Sequence, residues 1–210
     1  MRPDEIEALS FEIIDKEAGP HDFSDAKWSI VRRMIHTSAD FDYMDTVRFH
    51  PEAVAAGIKA IINGKTIVTD TNMALAGIRK KEIERFGGTA TCLINDPAIA
   101  ETARQTGSTR AKAAAEAAAE MMRGGIYVIG NAPTALFEVI RLISEKKADP
   151  ALVIGLPVGF VNAAESKQAL IQLNTPYISN IGRKGGSNIA ACVINALIIQ
   201  ATEEGRGYHD

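Results

Sequence analysis

Cysteine is scarce in this chain of 210 residues, which holds only Cys92 and Cys192. They lie far apart, each in an apolar run, so neither a disulfide framework nor a zinc cluster is expected, and a reducing compartment fits best. Long apolar runs are missing too. No stretch reaches the ~18 residues of a membrane-crossing helix. The N-terminal MRPDEIEALSFEIIDKE carries acids where a signal peptide has a basic and then an apolar region, so a cytoplasmic location is expected. Nor is there an excess of positive charge: 23 Lys and Arg stand against 26 Asp and Glu, for a formal net charge of −3. That balance argues against a surface devoted to nucleic acid or anionic lipid, and any anion site must be built locally. What is present is enough apolar material, 46%, to bury a core, and one domain spanning 1–210 is the expectation.

Helical spacing of apolar residues marks two opening helices. The first covers 3–17, with Ile6, Leu9, Ile13 and Ile14, and the second covers 24–36, with Trp28, Val31, Met34 and Ile35. Pro51 suits the first position of a third, which Asn63-Gly64 would close. From there short β-branched runs recur at 66–70, 89–94, 125–130, 151–157 and 176–182. Helical patterns alternate with them at 80–86, 97–105, 108–123, 134–147, 163–173 and 188–202. Such alternation implies a parallel five-stranded sheet covered on both faces, an α/β/α sandwich. The two N-terminal helices, 3–36, are expected to pack on the α/β core, 51–203.

In such sheets ligands sit beyond the carboxyl ends of the strands. The loops there read TDTNMALAGI, INDPAI, GNAPTAL, GLPVGFVNAAESK and NIGRKGGSN, rich in small residues and amides that let backbone approach a ligand closely. GRKGGSN, at 182–188, puts two cations and a Gly-rich turn before a long helix, which would favour carboxylate or phosphate against an ordinary loop. It lacks the GxxxxGK(S/T) spacing of a P-loop, and no GxGxxG follows a strand. Arg110, in the first turn of its helix, is unfavourable to the helix dipole unless an anion is near, and a solvated arginine is the plain alternative. Asp40, Asp42 and Asp45 lack the glycine and terminal acid of a calcium loop and read as a solvated loop.

His36, in RRMIHTSADFDYMD, follows Arg32 and Arg33 by four and three residues, which brings at least one of them onto its helical face. No GxSxG, HExxH or cysteine accompanies it in sequence. Imidazole is a side chain suited to proton transfer, against the alternative of a helix-end histidine satisfied by backbone.

Taken in order, SFEIIDKE, RRMIH, TDTNMALAGI, INDP, GNAPTAL, GLPVGFVNAAESK and NIGRKGGSNIA closely resemble the precorrin-8X methylmutases, also called cobalt-precorrin-8 methylmutases, over nearly the whole chain. The resemblance implies a flavodoxin-like three-layer fold, a homodimer with sites near the subunit interface, and a corrinoid tetrapyrrole as substrate and product. It also implies a reaction in cobalamin biosynthesis: a methyl group moves from C11 to C12 by a 1,5-sigmatropic shift, giving hydrogenobyrinate or cobyrinate, with no cofactor consumed. Hand-over to neighbouring pathway enzymes fits that role. By the same resemblance His36 is the catalytic histidine, and Ser10 and Arg33 contact substrate. The rim of substrate carboxylates would meet Arg33, Arg110, Arg183 and the Gly185, Gly186 and Ser187 amides. Met73, Pro157, Val158 and Phe160 would pack on the ring, and Thr69 and Asn131 at strand ends join the binding set. With no metal-ligand cluster in the chain, any cobalt belongs to the substrate. The competing readings are a non-catalytic module that binds a carboxylated tetrapyrrole, which would not need His36, and a nucleotide or flavin binder, which the missing phosphate motifs disfavour.

Overall fold

The computed structural model describes residues 2–206. Its N-terminal part comprises α1 (Pro3–Ala18), α2 (Asp25–Ser38), α3 (Tyr43–Thr46), β1 (Val47–Phe49) and α4 (Ala53–Ile62). Next come β2 (Ile67–Thr69), α5 (Asn72–Gly77), α6 (Lys80–Glu84), β3 (Ala90–Thr91), α7 (Pro97–Thr106) and α8 (Arg110–Ala117). The C-terminal part holds β4 (Ile126–Ile129), α9 (Pro133–Ser144), β5 (Leu152–Gly155), α10 (Ala163–Ile171), β6 (Tyr177–Asn180) and α11 (Ser187–Arg206).

The sheet has six strands in the order β1-β6-β5-β4-β2-β3. Five are the parallel strands that the apolar runs predict. The sixth, β1, pairs antiparallel with β6, Val47 opposite Asn180 and Phe49 opposite Ile178. Its three residues, VRF, follow an acidic stretch and carry no alternation long enough to read as a strand. Among the parallel strands the winding is that of flavodoxin-like sheets, with the direction reversing between β2 and β4.

Alternation along the strands supplies both layers. Ile126 and Val128 of β4 and Leu152 and Ile154 of β5 face a core with Ile61 of α4 and Val193, Ile194 and Leu197 of α11. Tyr127, Ile129 and Val153 face the other core, against Ala115 of α8, Leu136 and Val139 of α9 and Leu170 of α10. Helix α2 lies against α11 and buries Ile30, Val31, Met34 and Ile35, and α1 packs on α2.

Several boundaries are shorter than the sequence pattern. β3 retains two residues of TATCLI because it is the sheet edge, paired on one side only. β5 stops at Gly155, ahead of Pro157, which has no N–H for the ladder. TNMALAG, expected as loop, is helical as α5, where the Thr71 hydroxyl accepts from the Ala74 amide at 3.1 Å and supplies an N-cap.

Candidate functional site

His36 sits in the last turn of α2 and is exposed. Its ring meets Phe11 of α1 edge-on, with centroids 5.4 Å apart at 71°. Among the described residues no hydrogen bond engages either of its ring nitrogens. A groove of about 320 Å³ opens beside it between α1 and α2, lined by Ser10, Ile14, Ile35, His36, Ala39 and Phe41 among others. Ser10 and His36, far apart in sequence, thus share one concavity. Arg33 stands one turn back. Its guanidinium lies 5.3 Å from the Phe11 ring centre and donates to Glu7 at 2.8 Å. Arg32 covers Phe11 at 4.4 Å and donates to Asp15 at 2.8 Å. Phe11 is therefore held by two cations, and it in turn buttresses the imidazole. Cys192 of α11 is buried and hydrogen-bonded to Thr37. Burial pushes its thiol up to about 12, which leaves it a protonated core group and not a nucleophile paired with His36.

A second set of residues collects at the carboxyl ends of the strands. Asp70, leaving β2, is 2% exposed and accepts from the amides of Gly130, Asn131 and Ala132 at 3.0, 2.8 and 2.7 Å. Burial raises its carboxyl and the three amide donors oppose that rise. These amides open α9 at the β2/β4 reversal, the place where sheets of this winding receive ligand phosphates. Here a side chain of the protein fills it. Gly130 lets the start of α11 come close, since a Cβ there would lie 2.5 Å from Ser187 Cα. The Thr71 and Ser187 hydroxyls meet at 2.8 Å. At Gly185, with φ +156, a Cβ would meet the Leu156 carbonyl oxygen at 2.2 Å, and the Gly186 amide donates to that oxygen at 2.9 Å. Around this backbone knot three apolar side chains face outward: Met73, Phe160 and Val161 are 71%, 84% and 77% exposed. The Arg183 guanidinium lies 5.3 Å from the Phe160 ring centre.

The comparisons with known proteins bear on the family. The family model described as precorrin-8X methylmutase matches residues 5–200. The chain belongs to the precorrin-8X methylmutase family. A cobalt-precorrin-8 methylmutase from Priestia megaterium is 50% identical over 96% of this chain and 89% of that relative. The cobalt-precorrin-8 methylmutase of Salmonella typhimurium is 43% identical over 97% of this chain and 98% of its own. A solved structure of precorrin-8X methyl mutase from Thermus thermophilus superposes with a TM-score of 0.89 at 44% identity, covering 96% of this chain and 98% of that one. As a member of this family the chain is an isomerase, which separates it from a non-catalytic tetrapyrrole module.

Within this methylmutase the expected site residues fall into two groups. Ser10 and His36 line the α1–α2 groove, and Arg33 stands by Phe11, whose ring meets His36. Met73, Asn131, Phe160 and Arg183 are exposed at the strand ends, and Arg110, also exposed, opens α8 beside α9 through a 2.9 Å contact between Thr109 and Thr134. Thr69 and Pro157 are buried. The Thr69 hydroxyl donates to the carbonyls of Thr71 and Thr91 at 3.0 and 3.3 Å, so its contribution is to the frame. Of the Gly-rich turn, the Gly186 amide donates to the Leu156 carbonyl and the Ser187 hydroxyl meets that of Thr71.

The acidic stretch is open to solvent, as the sequence reading expects, but it has a partner that reading did not supply: Asp40 and Asp42 hold the Lys184 ammonium at 2.5 and 2.6 Å. This ties the end of the His36 helix to the GRKGGSN turn and joins the two groups. The only sequence signal for it was one lysine and two acids of unassigned partner. Phe11, Glu7 and Asp70 were missed for the same reason, as their partners lie on other elements.

Proposed function

We propose that the α1–α2 groove receives one edge of precorrin-8X or its cobalt form, and that His36 supplies the proton that sets the methyl shift from C11 to C12 in motion. The observation carrying this is the exposed imidazole, in one concavity with Ser10 and with neither nitrogen engaged by the described residues. A shift within one molecule needs no nucleophile. A proton placed on a ring nitrogen draws electron density from the conjugated system; the methyl carbon leaves C11 as its bond to C12 forms, and the proton returns to the imidazole. General acid assistance of this kind contributes ~10²- to 10⁴-fold, and positioning of the ring supplies much of the rest.

Arg33 meets a substrate carboxylate in exchange for Glu7, its present partner at 2.8 Å, while Ser10 donates a hydroxyl. Arg110 and Arg183 take further carboxylates through their two-pronged donors. The outward Met73 and Phe160 lie against the ring. At about 320 Å³ the groove is at the low end of ligand sites, ~300–1,000 Å³, so the reading includes a second copy of the chain closing over the macrocycle. Cobalt, where present, arrives within the substrate.

Mixing purified protein with precorrin-8X and following the visible spectrum tests the reading, with the product's methyl position read by NMR. Conversion is expected for the wild type. His36→Asn is expected to lose ~10²- to 10⁴-fold in turnover while still binding product, and wild-type rates in that variant would remove His36 from the mechanism.

A further inference from the structure

The wall of the His36 groove is a short turn with two faces. Ala39 and Phe41 line the groove, and the alternate residues, Asp40 and Asp42, turn their carboxylates the other way to Lys184. Ala39 caps α2 in the left-handed region, φ 54, a conformation a residue with a Cβ holds only when its surroundings enforce it. The Asp42 amide donates to Asp40 Oδ1 at 3.1 Å, and Phe41 packs against the core. Lys184 is itself pinned from behind. Its carbonyl accepts from the buried Lys167 ammonium at 2.6 Å and from the Asn180 amide at 3.0 Å, and Lys167 also donates to Asn180 Oδ1 at 3.0 Å. A chain of contacts therefore runs from β6 and α10, through one lysine, to the wall beside His36.

We propose that Lys184 is a positioning residue: its ammonium, held by the sheet, fixes the Ala39–Asp42 turn and so sets the groove and the His36 imidazole for the methyl shift. Lys184 sits between Arg183 and the glycines of a turn whose charge suggests substrate binding. With two carboxylates already on its ammonium, it has no charge left over for the substrate's rim. One exposed ion pair stabilises little. Two acids on one pre-placed cation, bracketing a groove-lining residue, give geometry more than stability.

The proposal rests on the catalytic reading of His36, and the test separates the two. Three forms of the full chain are compared with wild type: Lys184→Met, Lys184→Arg, and Asp40→Asn with Asp42→Asn. For each, kcat and KM are measured on precorrin-8X, together with the imidazole C–H resonance of His36, assigned by its loss in His36→Asn. Lys184→Met and the double aspartate variant are expected to lower kcat about tenfold, in line with the rate loss from a sub-ångström misplacement, with KM within about twofold. Both are expected to move the His36 resonance, and Lys184→Arg restores kcat and resonance together. A resonance that moves while turnover stays at the wild-type value overturns the positioning role of Lys184, and the turnover of His36→Asn, read separately, decides the catalytic reading of His36. A resonance unchanged in Lys184→Met and in the double variant overturns the clasp, whatever turnover does. A rise in KM alone with that unchanged resonance assigns Lys184 to direct carboxylate binding.

Discussion

Lys167 has no exposed surface and no carboxylate within ion-pair distance among the described residues; its ammonium is met by two oxygens, Asn180 Oδ1 and the Lys184 carbonyl. Burial pushes its pKa down from 10.5 to about 8. Below pH 8 both folded and unfolded chains carry the proton, and the fold bears the whole cost of burying the charge. Between pH 8 and 10.5 the unfolded chain keeps a proton the folded one has lost, so stability rises with pH. A shift of this size is worth about 3 kcal/mol. Urea unfolding of wild type minus that of Lys167→Met is therefore expected to climb by roughly that amount from pH 7 to pH 11, and a flat difference would contradict it. The turn that Lys167 holds carries Lys184, so Lys167 bears on the proposed positioning without lining the groove.

At the level of elements, the site depends on how closely two helix starts approach. α9 and α11 meet at Gly130, where a Cβ would stand 2.5 Å from Ser187 Cα; the obstacle is backbone, which cannot swing aside. Gly130→Ala is expected to destabilise the protein by about 1–3 kcal/mol and to disturb the Asp70 contacts with residues 130–132. The midpoint of denaturant unfolding checks the first effect and amide exchange at those three residues the second. Gly87 provides the control: its Cβ would meet nothing within 4 Å, though its φ of +74 adds a backbone cost of about 1 kcal/mol. Helix α1 raises a different matter. Its outward residues Ile6, Leu9 and Ile13, at 51%, 43% and 49% exposure, follow helical spacing along one side, next to Ser10 and the groove.

For the whole molecule, that stripe is the surface on which the proposed second copy would close, since an apolar row beside a shallow groove gains most from being covered. Sedimentation equilibrium of the wild type is expected to return a dimer, and Leu9→Lys a monomer with loss of turnover. A wild-type monomer that converts precorrin-8X would sink the closure. The winding of the sheet is a general one, and fold alone does not choose chemistry. In this chain the Asp70 carboxylate accepts the amides of residues 130–132, at the reversal where sheets of this winding hold ligand phosphates, so those three donors are already engaged within the protein.

Much of this could be read along the chain. Local patterns decided the five parallel strands, the opening helices and the order of loops, because burial on two faces and helical spacing leave periods that survive without neighbours. The ordered motifs from SFEII to GRKGGSN were enough to point to the family, which the comparisons then showed. Other features belong to tertiary structure alone. β1 exists because β6 offers it an edge, and Asp40 and Asp42 became a clasp because Lys184, distant in sequence, arrives beside them. Thr69 and Gly186 looked available and were claimed by neighbouring carbonyls. The difference is physical: a residue's period and chemistry are its own, whereas its hydrogen-bond partner is settled only when distant segments pack and every buried polar group must find one.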